Sequence, residues 1–138
     1  MKNIRLLSLT LTALAVTACS DSTAPVPAPR TVHVSPVGAF GPSGTVSLTN
    51  VAGPNSTLTA TLTGFDANSS HAVGIVLGSC ASQGSTAFTL PNILATSSGQ
   101  ATIPSTSAPD GVVTSGYAIV FYQSTSSTSD VIACGNLS

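Results

Sequence analysis

The sequence predicts an all-β protein, a single antiparallel β-sandwich of about seven to eight strands. Three observations predict it. From Thr31 onward apolar residues recur with period two, the spacing of a strand that presents one face to a core. Turn residues interrupt this alternation about every eight to twelve positions. β-Branched residues are abundant and the 3.6-residue period of an amphipathic helix is missing, which leaves little room for helices.

Taken in order, His33 lies between Val32 and Val34 and faces solvent if they face inward. Val46 and Leu48 alternate with Thr45, Ser47 and Thr49, and Leu58, Ala60 and Leu62 alternate with Thr57, Thr59, Thr61 and Thr63. These are two half-buried strands joined through Gly53-Pro54-Asn55, and Gly64-Phe65-Asp66-Ala67-Asn68 makes the next turn. His71 to Leu77 is apolar on both faces, as a central strand would be, with Val73, Ile75 and Leu77 on one side. Further strands are expected at 86–90, 100–104, 116–123 and 130–134, with a tight turn at Asp110-Gly111. Tyr117 and Tyr122 should face opposite sides of one strand, one in the core and the other exposed. The arrangement expected over 31–138 is immunoglobulin-like, with Greek-key connections.

Residues 1–18 read as a secretory signal, with Lys2 and Arg5 ahead of an apolar run from Leu6 to Val16. That run has eleven residues, about half of the ~20 needed to cross a bilayer as a helix. Val16-Thr17-Ala18-Cys19 resembles the lipobox of bacterial lipoproteins, which implies cleavage before Cys19 and lipidation of its thiol. Aspartate directly after the lipidated cysteine tends to retain such proteins in the inner membrane. Ser20 stands there, so the resemblance implies the outer membrane, on either its periplasmic or its outer face. Several acyl chains on Cys19 would make the bilayer a stable partner. Residues 19–30 form the linker, where Pro25, Pro27 and Pro29 favour an extended polyproline II spacer.

Cleavage removes Lys2 and Arg5 and leaves Arg30 as the only lysine or arginine, against Asp21, Asp66, Asp110 and Asp130. Nucleic acid is thereby excluded as a partner, because no basic patch can displace counterions from phosphates. An arginine clamp for phosphate and a Schiff-base lysine are excluded for the same reason. Low charge combined with high apolar content opposes disorder, so the chain should fold as one domain.

With Cys19 lipidated, Cys80 and Cys134 remain as an even pair in an oxidising compartment, and a disulfide between them is expected. It would close a loop of about 55 residues, worth roughly 4 kcal/mol in the chain-entropy model. A redox-active or metal-binding pair is the rival reading, opposed by the absence of CxxC spacing and of a nearby cation to activate a thiolate.

His71-Ala72-Val73-Gly74-Ile75-Val76, then Gly78-Ser79-Cys80, and later Ala133-Cys134-Gly135, resemble the copper/zinc superoxide dismutase-like sandwich and the related chordin-type domains over residues 45 to 137. In the dismutases a strand carries H-x-x-H-x-H, and the two cysteine motifs supply the halves of one disulfide. The resemblance implies that His71 packs and hydrogen-bonds, as the first histidine of that motif does. The two copper-ligand positions fall on Gly74 and Val76, and the later metal-binding histidine should fall near Val120 to Tyr122, where none stands. With only His33 and His71 in the chain, an imidazole-rich site cannot be assembled, and no metal or other cofactor is expected.

A triad of His71, Asp66 and a serine is conceivable by composition, but the chain has no Gly-x-Ser-x-Gly elbow. Asp66, Asp110 and Asp130 sit beside turn residues, where aspartate bonds local backbone N–H groups, and no D-x-D run gathers oxygens for calcium. The expectation is a non-enzymatic, lipid-anchored envelope protein with a structural or interaction domain and an unidentified envelope partner. A dismutase-type metal protein with an unconventional site, and a binder of small apolar ligands with an interior pocket of about 300 Å³ or more, are the alternatives.

Overall fold

The computed structural model describes residues 28–49 and 54–138. The signal at 1–18, Cys19 and the linker up to residue 27 lie outside the described residues, as does Gly53 of the second turn. The fold is all-β, with eight antiparallel strands and a single short helical turn. The strands are β1 (Arg30–Pro36), β2 (Ser43–Thr49), β3 (Asn55–Thr63), β4 (Ser70–Ser79), β5 (Ser82–Leu94), β6 (Gln100–Pro109), β7 (Tyr117–Tyr122) and β8 (Val131–Leu137), and a 3-10 turn covers Asp110–Val112. β1 starts at Arg30, so the last linker residue already belongs to the sheet.

The strands form one sheet in the order β5-β4-β7-β8-β1-β2-β3-β6. It curls until its two end strands come beside each other, a shape close to a barrel. The join between β8 and β1 is short, with Ser35 opposite Cys134 and Pro36 opposite Ala133. The end strands carry their own reason for being ends. Pro91 lies in β5 and Pro104 in β6, and a proline gives no N–H to a ladder. At each of them the register slips by one residue: β5 puts three steps against two of β4 between Ile93 and Leu90, and β6 does so against β3 between Ile103 and Thr106.

The alternation of β2 and β3 sends Val46, Leu48, Leu58 and Leu62 inward and their threonines outward. Each such side chain contributes about 1.5–3 kcal/mol by leaving water. The interior is completed by Val32 and Val34 of β1, Val73 and Ile75 of β4, and Ile119 and Phe121 of β7.

β4 and β7 are buried on both faces. Their outer face packs a second cluster of Ala72, Val76, Ala118, Val120 and Tyr122 with Cys134 of β8. Two expectations are corrected here. Leu77 shares a face with Val73 and Ile75 by parity, yet it lies past the covered stretch and is 50 % exposed. Tyr117 and Tyr122 do face opposite sides, but neither is the exposed one expected: Tyr117 packs against the interior and Tyr122 is buried in the outer cluster.

Candidate functional site

Strand direction sorts the loops into two ends. The chain enters β1 at one end, which also holds the β4–β5 hairpin and the 3-10 turn; loops 37–42, 64–69, 95–99 and 123–130 gather at the other. That far end is pinned by backbone bonds. Gly64 and Phe65 both donate to the Gly99 carbonyl at 3.1 Å, and Val37 donates to the Ile132 carbonyl at 2.9 Å. Gly99 has φ +73°, and a Cβ there would stand 2.3 Å from the Phe65 carbonyl oxygen, so only glycine allows loops 64–69 and 95–99 to approach so closely.

Between loops 37–42 and 64–69 and the C-terminal end of β7 opens a cleft of about 220 Å³. Phe40, Pro42, Phe65 and Ile132 supply its apolar wall, and Asp66, His71 and Gln123 its polar groups. Phe40 is 92 % exposed at its rim. Phe65 is buried, its ring 4.6 Å from that of His71 and edge-on to Phe121 at 6.4 Å.

His71 opens β4 and is 2 % exposed. Its Nδ1 lies 2.8 Å from the carbonyl oxygen of Tyr122. A carbonyl only accepts, so Nδ1 carries a proton and donates it there. Its Nε2 lies 2.6 Å from Ser69 Oγ. Ser69 Oγ is also 2.6 Å from the Asp66 carbonyl, so one hydroxyl proton faces two acceptors. The structure thus brings a serine to His71, but the group orienting the imidazole is a backbone carbonyl; Asp66 takes part through its own carbonyl, which also accepts the Ser69 N–H at 3.2 Å. His33 is exposed on β1.

The positions matched to copper ligands lie on the outer cluster. Gly74 stands opposite Val120 and Val76 opposite Ala118, and opposed residues of an antiparallel pair share a face. A Cβ on Gly74 would lie 3.6 Å from Tyr122 Cε2, so the tyrosine ring covers the glycine. The Cys80–Cys134 disulfide closes the edge of this cluster, and the Cys80 N–H donates to Asn136 Oδ1 at 2.8 Å. Among the described residues no three His, Cys, Asp or Glu side chains come together.

A second cleft, about 190 Å³, lies at the near end between Arg30, Ser56, Asp110, Val113 and Thr114. Arg30 donates through Nη2 to the Val113 carbonyl, and the buried Ser56 hydroxyl donates to the Asp110 carboxylate. That carboxylate therefore braces β3 across the sheet end, where a bond to local backbone was expected. No known family model matches the chain, and no curated protein does either.

Phe40, Ser69, Gln123 and the Tyr122 carbonyl were not singled out by sequence. Only Phe40 carries a usable signal: an aromatic residue in Gly38-Ala39-Phe40-Gly41-Pro42, among turn formers that offer it no strand to pack in.

Proposed function

We propose that this protein is a lipid-anchored component of a bacterial envelope, held by Cys19 in the outer membrane, whose β domain serves as a non-catalytic structural or interaction module. One observation carries the reading. The face on which the dismutase resemblance places copper is packed with Val76, Ala118, Val120 and Tyr122 around Gly74, with no histidine, carboxylate or free thiol among them. Copper redox chemistry needs several imidazoles fixed around the ion and held by second partners. His71 is engaged elsewhere, through both ring nitrogens. An immunoglobulin-like Greek-key sandwich is the finer form of the same reading, supported by the jumps from β3 to β6 and from β4 to β7 in the strand order.

The test is elemental analysis of the purified mature protein after dialysis in metal-replete buffer, with a superoxide dismutation assay alongside. Less than a tenth of an equivalent of copper or zinc and no activity is the expected result, the threshold being an order-of-magnitude choice. About one equivalent of copper, lost together with an activity on His71→Ala, would replace the proposal by a metalloenzyme.

A further inference from the structure

We infer that the far-end cleft is a binding site for a quaternary ammonium group, free or on a lipid headgroup. The inference deepens the interaction-module reading and rests on it.

Three features of the cleft point to this chemistry together. Phe40 and Phe65 line it together with the polar Asp66, His71 and Gln123, and an aromatic ring attracts a cation through its quadrupole. Phe65 is held in place by His71 and Phe121, so that wall is preformed. Phe40 is 92 % exposed, and a large apolar side chain left in water at the rim of a cleft gains by being covered. The third feature is charge. Asp66 lines the cleft and is exposed, and its local bonds to Ser69 are made by its carbonyl and not by its carboxylate. Asp130 lies on the neighbouring 123–130 loop, whose ends are tied by the Gln123 N–H to the Asp130 carbonyl at 2.8 Å. Arg30, the one arginine or lysine among the described residues, is at the opposite end. The far end is thus anionic around an aromatic cleft.

Among cations, an alkylated ammonium fits best. A primary ammonium must shed strongly bound water to sit against a phenyl ring, whereas methyl groups would meet the apolar lining of Phe40, Phe65, Pro42 and Ile132 and the charge would remain for Asp66. The volume of about 220 Å³ is below the 300–1,000 Å³ usual for drug-sized ligands and selects a headgroup.

The experiment is titration of the purified, isotope-labelled mature protein in detergent micelles with choline, with its neutral isostere 3,3-dimethylbutan-1-ol, and with the primary amine ethanolamine, followed by amide shifts. Choline is expected to shift the amides of Phe40, Phe65 and Asp66 saturably, and the isostere and ethanolamine to bind about tenfold more weakly. Phe40→Ala and Asp66→Asn should each weaken choline binding about tenfold with an unchanged spectrum elsewhere, since both side chains are at the surface. Competition by phosphatidylcholine vesicles, but not phosphatidylglycerol vesicles, would identify the headgroup as the source; failure of both to compete identifies a free ammonium compound. Equal binding of choline and the isostere, preference for ethanolamine, or no shift at these residues overturns the inference. Such a result leaves the non-catalytic reading standing, because that reading falls only to the metal analysis.

Discussion

Reduction of the Cys80–Cys134 disulfide isolates the largest single contribution to stability that can be removed without changing the sequence. The bond joins residues 54 apart, and tethering a loop of that length removes about 4 kcal/mol of conformational freedom from the unfolded chain. The folded side changes little on reduction, because both sulfur atoms remain and Cys134 stays 4 % exposed in the outer cluster as a small apolar residue. A small domain has roughly 5–15 kcal/mol in total, so the loss is a large share of it. For a domain near 100 residues each kcal/mol moves Tm by about 4–8 °C, which gives a fall of roughly 15–30 °C. Scanning calorimetry of the mature protein with and without a phosphine reductant measures it. The paired Cys80→Ala, Cys134→Ala variant should fall further, since it also loses the sulfur packing. A reduced protein that melts within a few degrees of the oxidised one would refute the reasoning, as would two thiols open to alkylation in the folded protein before reduction.

Cys19→Ser should release the protein from the membrane fraction or leave an uncleaved precursor, and a cleaved Cys19→Ser protein that still fractionates with membranes would remove the anchor from the proposal. His71→Ala opens a cavity beneath Phe65 and leaves the Tyr122 carbonyl without its donor, for an expected loss of about 3 kcal/mol in denaturant unfolding. His71→Gln, which can still donate, should recover part of it. Gly99→Ala forces a Cβ against the Phe65 carbonyl at positive φ and should cost more than 1 kcal/mol, roughly, with the largest loss of amide protection in loop 64–69.

The legible part of this fold is the part where packing writes a regular pattern. β2 and β3 are read in phase because over 45–49 and 57–63 each inward residue is apolar and each outward one is threonine or serine. β4 reads as central because six consecutive residues from His71 to Val76 are buried. β5 and β6 run longer than the alternation predicts. Residues 82–87 of β5 carry no apolar rhythm, being exposed on both faces, and Pro104 reads as a terminator when it marks a bulge that β6 runs through. The far-end cleft was not legible, since it is made by residues distant in sequence, Phe40, Phe65 and Ile132, meeting across loops. The partner that fixes His71 is a main-chain carbonyl 51 positions away, which no side chain advertises.

The outer cluster closes the outward face of β4 and β7 to a polar ligand set. A sheet with one wet face can carry ligands on that face, but β4 and β7 have covered theirs with alanine, valine and tyrosine, closed at the edge by the disulfide. A polar donor set in the same place would have to leave water and find partners among groups that offer none, at about 1–3 kcal/mol for each unsatisfied group. Apolar packing there instead adds stability to a domain whose described residues include no lysine and no glutamate and so can form few ion pairs. Both faces of β4 and β7 are closed over 72–76 and 118–122, and the two ends of the sheet differ in what their polar groups do. At the near end Arg30 and Ser56 are turned to bracing Val113 and Asp110, whereas at the far end the exposed Asp66 lines a cleft beside an exposed phenylalanine. The proposed ammonium site therefore lies at the far end, where an exposed phenylalanine and an exposed aspartate border one cleft.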